Sequence, residues 1–284
     1  MFAATSPSEP PIVVRGRAEA RFSGADGTTR LGHLDQGDPL RILFPRALDP
    51  AATVAVIANT GGGLVGGDRL DMAFAAQDGA RVLVTSQAAE KAYRSAGATC
   101  AVDVRLSVGA GAWLEWLPHE TIVFDGARLR RRLALECAKD GRLMAGEMMV
   151  FGRRARGERL AGGLVREAWE VRREGRLIWA DALHLEGDLA AALADPFAFG
   201  GAAALATLLY CGPDAVDRLE RAREGLPANG DGLKVGATLV NGVLLVRWLD
   251  ADAARLRAAF GAFWAYFRHA AGAGEARLPR LWHI

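Results

Sequence analysis

The sequence predicts a mainly β protein: a large antiparallel, sheet-dominated body with a few α-helices, mostly toward the C-terminus. Three observations carry this expectation. Strand signals, several of them segments of apolar/polar alternation, dominate the chain as far as about residue 205. Acidic residue–Gly pairs punctuate those segments, and apolar residues at helical spacing appear only beyond residue 206.

In chain order, residues 1–11 are small and rich in Ser and Pro, which predicts a disordered leader. They lack the basic and apolar regions of a signal peptide. Residues 12–284 are expected to form one domain, with a β body over 12–205 and a helix-containing part over 206–284. Thr53–Ala58 and Arg81–Thr85 read as strands. In Val102–Val108, in Leu70, Met72 and Phe74, and in Trp169 and Val171, apolar residues alternate with polar or small ones, as in strands with one buried face. Asp78-Gly79, Asp125-Gly126, Asp140-Gly141 and Glu174-Gly175 supply the positive φ that tight reversals need, and predict antiparallel hairpins. Pro213–Arg223 has a first-turn Pro, early acids and late basic residues, the pattern of a helix. Asp250 is the expected cap of a longer helix whose core stripe is Leu256, Phe260, Phe263 and Phe267. Arg255, Arg257 and Arg268 are then expected to face water or a partner.

Composition removes several function classes. The net charge of +2 gives no electrostatic footprint for nucleic acid or an acidic membrane. Cys100, Cys137 and Cys211 are too dispersed for a disulfide framework or a C-x-x-C metal knuckle. The apolar stretch Leu189–Cys211 is broken by Asp195 and Pro196, so no membrane span is expected and the protein reads as soluble and cytoplasmic. A nucleophile elbow is absent. His33, His119, His184, His269 and His283 do not stand at local metal-ligand spacing.

One motif demands a decision. Gly61, Gly63 and Gly66, with Gly62 and Gly67 among them, satisfy the G-x-G-x-x-G pattern of a pyrophosphate cradle. A strand precedes it, but the following Leu70–Phe74 has period two instead of a helical pattern, and Arg81–Thr85 ends in Ser86-Gln87 where an acid is needed. A nucleotide-dependent oxidoreductase built on Gly61–Gly66 is therefore the weaker alternative. The stronger reading is a glycine-rich crossing between strands that can dock another protein. Gly61, Gly62, Gly63, Gly66, Gly67, Lys91, Tyr93 and Arg94 are the interface candidates. Asp68, Glu120, Asp125 and Glu147 recur beside turns and glycines, and are candidates to line a polar passage or to brace corners.

The ordered motifs Asn59–Asp71, Thr85–Ser95, Trp116–Gly126, Gly146-Glu147, Phe151–Arg153, Gly157-Glu158, Asp181–Gly187 and Leu278–Trp282 resemble the UreD urease accessory proteins, called UreH in some bacteria. The resemblance runs from about residue 15 to the C-terminus. Asn59 stands where that family usually has Thr or Ser, His119 where Gln is common, and Glu90 where a smaller residue or Thr is usual. The resemblance implies a helix-like stack of sheets and a protein that is not an enzyme and has no catalytic residues. It implies binding to the urease apoenzyme and to UreF, which recruits the GTPase UreG. Two copies are expected in that accessory complex. It implies no tightly bound cofactor: nickel is in transit, and GTP and Mg belong to the partner GTPase. A scaffold that conducts nothing is the remaining alternative.

Overall fold

The computed structural model describes residues 13–45, 52–230 and 232–283, so the expected leader lies outside the described residues. Along the chain run β1 (Arg15–Ala25), β2 (Thr28–Gly37), β3 (Leu40–Leu43), β4 (Thr53–Asn59), β5 (Arg69–Ala76), β6 (Arg81–Ser86) and β7 (Glu90–Ala92). Then come β8 (Cys100–Val108), β9 (Trp113–Leu117), β10 (Thr121–Val123), β11 (Arg128–Cys137), β12 (Arg142–Phe151), β13 (Gly162–Arg173) and β14 (Arg176–Asp188). The chain continues through α1 (Leu189–Ala194), β15 (Ala204–Cys211), α2 (Leu219–Glu224), β16 (Lys234–Val240), β17 (Val243–Asp250) and α3 (Ala253–Ala270).

The strands form two sheets. The front sheet has the order β14-β13-β11-β8-β5-β1-β2, and the back sheet β16-β17-β15-β12-β9-β6-β4-β3. From β4 to β13 the chain passes from one sheet to the other and back, so neighbours within each sheet run parallel: β5 with β8, β8 with β11, β6 with β9 and β9 with β12. A parallel pair needs a crossover, and here the crossover is a strand of the opposite sheet. The result is a solenoid of stacked coils.

The mainly β, stacked-sheet expectation with late helices therefore holds, and antiparallel pairing is placed at the two ends. Glu174-Gly175 closes the β13–β14 hairpin as expected, with φ of 51° and 73°. Asp78-Gly79, Asp125-Gly126 and Asp140-Gly141 instead turn the chain between sheets. Gly79 and Gly126 take positive φ, 72° and 73°, as a hairpin glycine does, so local sequence does not separate these corners from hairpins. Gly141 does not take a positive φ, and its place is set by close approach, since a Cβ there would stand 2.8 Å from Gly109 O.

Apolar residues face inward in two layers. Phe22, Phe74, Leu106, Leu133 and Leu143 pack between the sheets. Met144, Met148, Trp248, Phe260, Trp264 and Phe267 pack between the back sheet and α3, so the expected helical stripe is core. Gly146 permits this approach, because a Cβ there would stand 2.6 Å from the Phe260 ring. The cap of α3 is Asp252, which accepts from Ala254 N and Arg255 N, and not Asp250. Asp250 ends β17 fully buried, with its carboxylate on the Arg255 guanidinium. Arg268 also departs from the expected solvent face: it is buried, bidentate on Glu115 of β9 at 3.0 Å for both bonds. In the predicted helix 213–223, only the part from Leu219 is α-helical, and the residues before it form turns.

Candidate functional site

Four connections leave the back sheet on the same side of the solenoid: β4 to β5, β6 to β8, β9 to β11, and β12 to β13. They are the stretches Asn59–Asp71, Thr85–Ser95, Trp116–Gly126 and Phe151–Glu158, stacked one above the next. Leu64 N donates to Lys91 O (2.7 Å), Tyr93 N to Leu64 O (2.8 Å), Phe124 N to Ala92 O (2.9 Å) and Gly152 N to Val123 O (2.8 Å). The short strands β7, β10 and the end of β12 thereby form a third, narrow parallel face.

The glycines belong to this stacking. A Cβ on Gly63 would lie 2.4 Å from the Tyr93 ring and 2.7 Å from Lys91 O, and one on Gly66 would lie 2.6 Å from Ala98 O. The chain then enters β5, a strand, so the helix amino end of a dinucleotide site is missing. Gly61 and Gly62 are exposed, as are Lys91 and Arg94, while Tyr93 is half-buried with its hydroxyl donating to Gly62 O at 3.1 Å. Gly67, with φ of 98°, borders Val13. All eight interface candidates thus meet at one corner, with Gly63 and Gly66 turned to internal packing.

The four acids divide into braces and one interior group. Asp68, 3% exposed, accepts from Val14 N at 3.1 Å and Val65 N at 2.9 Å, and so ties the glycine loop to the start of β1. Asp125 accepts from Ala161 N and Gly162 N at 2.9 and 3.1 Å and pairs with Arg94. These bonds hold its carboxyl below the usual carboxylate range, the one from Ala161 N foremost. Glu120 pairs with Arg257 of α3 at 3.2 Å. Glu147 alone reaches the space between the sheets.

There a cavity of about 190 Å³ extends from Asn59, Gly62, Glu90 and His119 at the corner to Arg131 and Glu147 inside. Asn59, Glu90 and His119 line it together. Asn59 Nδ2 donates to Glu90 Oε2 at 2.9 Å, and the His119 ring contacts Ser86 Oγ at 3.2 Å and Leu281 O at 3.0 Å. At the inner end Arg131 Nη1 lies 2.8 Å from Glu147 Oε2, and Arg131 Nε donates to Glu167 Oε2 at 2.8 Å. Indole N–H groups hold the other oxygens: Trp116 donates to Glu147 Oε1 at 2.8 Å and Trp169 to Glu167 Oε1 at 3.0 Å. Glu167 and Trp169 line a second space, a groove of about 730 Å³ bordered by β14, β16 and β17. One buried cation between two buried carboxylates thus separates a corner cavity from an end groove. Among the described residues, no group of three or more His, Cys, Asp or Glu is placed to hold a metal ion. Nor, among them, is any helix long and apolar enough to cross a membrane.

Burial pushes the Glu147 carboxyl up from an ordinary 4.5 to about 7, with Arg131 opposing the shift and Glu167 adding to it. The folded chain holds this proton more tightly than the unfolded chain. The resulting stabilisation is complete below about 4.5 and is lost as pH rises through about 7. Melting temperatures across that window should therefore fall with rising pH more steeply for the natural chain than for Glu147→Gln. Parallel curves would show that Glu147 keeps an ordinary proton affinity.

Arg131, Glu167 and Glu90 were not among the candidates. A signal for the first two was present in the alternation of their own strands. Arg131 falls in the inward register of Leu129, Leu133 and Leu135, and Glu167 in that of Val165, Trp169 and Val171. A charge on an apolar register must find a partner, and the two residues are neighbours across β11 and β13.

Comparison with known proteins follows the same outline. A family model described as UreD urease accessory protein matches residues 14–283. The chain is 46% identical over 287 residues to the urease accessory protein UreD of Magnetococcus marinus, covering 99% of each chain. It is 43% identical to urease accessory protein UreD 2 of Methylorubrum populi, over 95% of this chain and 89% of that one. For the urease accessory protein UreD of Methylobacterium sp. (strain 4-46) the identity is 44%, over 94% and 95%.

Proposed function

Since the chain belongs to the UreD urease accessory protein family, we propose that it is a cytoplasmic adaptor that binds the urease apoenzyme and passes nickel to it. In this reading it acts with a UreF-like partner and, through that partner, a UreG-like GTPase, two copies of the chain entering the assembly. It makes and breaks no covalent bonds. GTP and Mg act on the GTPase, and nickel is cargo.

The observation that carries this reading is the buried Glu147–Arg131–Glu167 array between the corner cavity and the end groove. Carboxylates are hard ligands that hold a divalent ion loosely compared with imidazole or thiolate sets, which suits transfer. A route through the interior also keeps the ion from bulk water and competing ligands. The exposed part of the corner face, Gly61, Gly62, Lys91 and Arg94, is then a docking surface, and the stacked loops behind it keep its shape.

The test is Glu147→Ala, with Glu147→Gln as a variant that keeps the volume and the bond from Trp116. Nickel in urease matured alongside each variant should fall several-fold, while urease and the partner proteins still co-purify with it. An intact complex with full nickel loading would reduce Glu147 to scaffold and leave the adaptor without a path.

A further inference from the structure

An ion crossing from cavity to groove would meet Arg131. This guanidinium is 7% exposed, bonds to both carboxylates and also donates to Thr121 Oγ1 at 2.8 Å. While it stays there, its charge offsets both carboxylates and a second cation is repelled, although Glu147 Oε2 has the ion-pair contact alone and no hydrogen bond. A conduit with this geometry is closed at rest.

The space to open it lies on one side. Arg131 itself lines the corner cavity, and so does Glu90, a carboxylate held by Asn59 and by Lys91 N at 3.0 Å. The cavity, about 190 Å³, has the volume of several waters at about 30 Å³ each, enough to receive a guanidinium. Leaving a buried carboxylate without its cation is strongly unfavourable, so Arg131 does not depart unless another positive charge arrives.

We propose, on the basis of the conduit reading above, that Arg131 is a movable plug. A divalent ion entering the cavity takes its place between Glu147 and Glu167 while the guanidinium turns to Glu90. Passage is then an exchange of cations. Arg131 returns when the ion leaves by the groove, and the interior is never open to water and ions at once. Glu90 is the resting place of the displaced side chain.

The experiment uses the chain produced together with urease and the partner accessory proteins. Nickel is measured both in the urease and on the purified accessory complex. Glu90→Gln should lower urease nickel several-fold, because the displaced guanidinium has no carboxylate to receive it. Arg131→Met leaves two carboxylates without a resident cation, so its complex should retain nickel that the natural complex does not. Arg131→Lys keeps the charge but not the fork that spans both carboxylates, and should retain nickel to a lesser degree even where the Met variant does not fold. Full urease loading by Glu90→Gln overturns the plug, and so does the lack of retained nickel on both Arg131 variants. Glu147→Ala separates the two ideas. If it blocks loading while Glu90→Gln does not, the plug falls and the conduit stands. If it too loads urease fully, the conduit falls as well.

Discussion

Replacing Gly63 with alanine should lower the melting temperature by on the order of 10 °C, whereas Gly61→Ala should leave it almost unchanged. The two glycines are separated by one residue and read alike in the sequence. At Gly63 the φ of 146° is one that L side chains rarely adopt, and an added Cβ would press on the Tyr93 ring at 2.4 Å and on Lys91 O at 2.7 Å. Backbone strain and overpacking each cost about 1–3 kcal/mol, and the second is severe here because part of the obstacle is backbone. At Gly61 the φ lies outside the left-handed region, and the nearest atoms stand farther off, Asn59 Oδ1 at 3.2 Å and Pro39 Cβ at 3.4 Å, with no backbone atom among them. Scanning calorimetry of the two variants separates the readings of this loop. A phosphate cradle needs backbone access at each glycine of its pattern, whereas coil stacking needs Gly63 and tolerates Gly61→Ala. Equal effects at the two positions would contradict the stacking account.

Glu115→Ala should be as damaging from the other side of the back sheet. Glu115 is 2% exposed and receives two bonds from Arg268 at 3.0 Å and one from Trp264 Nε1 at 3.1 Å. These bonds fasten α3 to β9 across the second core. Removing one partner of a buried ion pair costs about 3–5 kcal/mol, since the other charge stays in an apolar layer. The double variant Glu115→Ala/Arg268→Met should recover much of that loss, because it no longer buries an uncompensated cation. Denaturant unfolding of the two single variants and the double variant measures the coupling. If the single effects simply add, the ion pair does not hold the helix.

Legibility differed from element to element for physical reasons. Val102–Val108 and Leu70–Phe74 were readable as strands because one face of each is buried and the side-chain period is two. The stripe Leu256, Phe260, Phe263 and Phe267 was readable as core for the corresponding helical reason. The cap was misplaced by two residues, since Asp250 and Asp252 are both acceptable caps locally. The ladder to β15 assigns Asp250 to β17, opposite Ala204, and its carboxylate is taken by the Arg255 guanidinium. Strand direction was not legible at Asp78-Gly79 or Asp125-Gly126, because a hairpin and a corner between sheets make the same demand on φ.

The candidate site shows the same division. Glu147 was singled out beside Gly146, yet the reasons for the two residues face opposite layers, one toward the cavity and the other toward Phe260. Asp68, Asp125 and Glu120 are equally plausible from their neighbours, and each turns out to hold loops or α3 in place.

By itself the sequence determined the strand-rich body, the late helix, the glycine crossing and, through its ordered motifs, the family. The first three follow from periodicity and spacing, which act over a few residues and survive without knowledge of neighbours, and the family follows from the resemblance of the motifs. Only the tertiary structure decided that the coils run parallel, that four distant motifs form one corner, and that Arg131 stands between Glu147 and Glu167. Those facts depend on registers between strands far apart in the chain, where burial forces each inward charge to find its counter-charge.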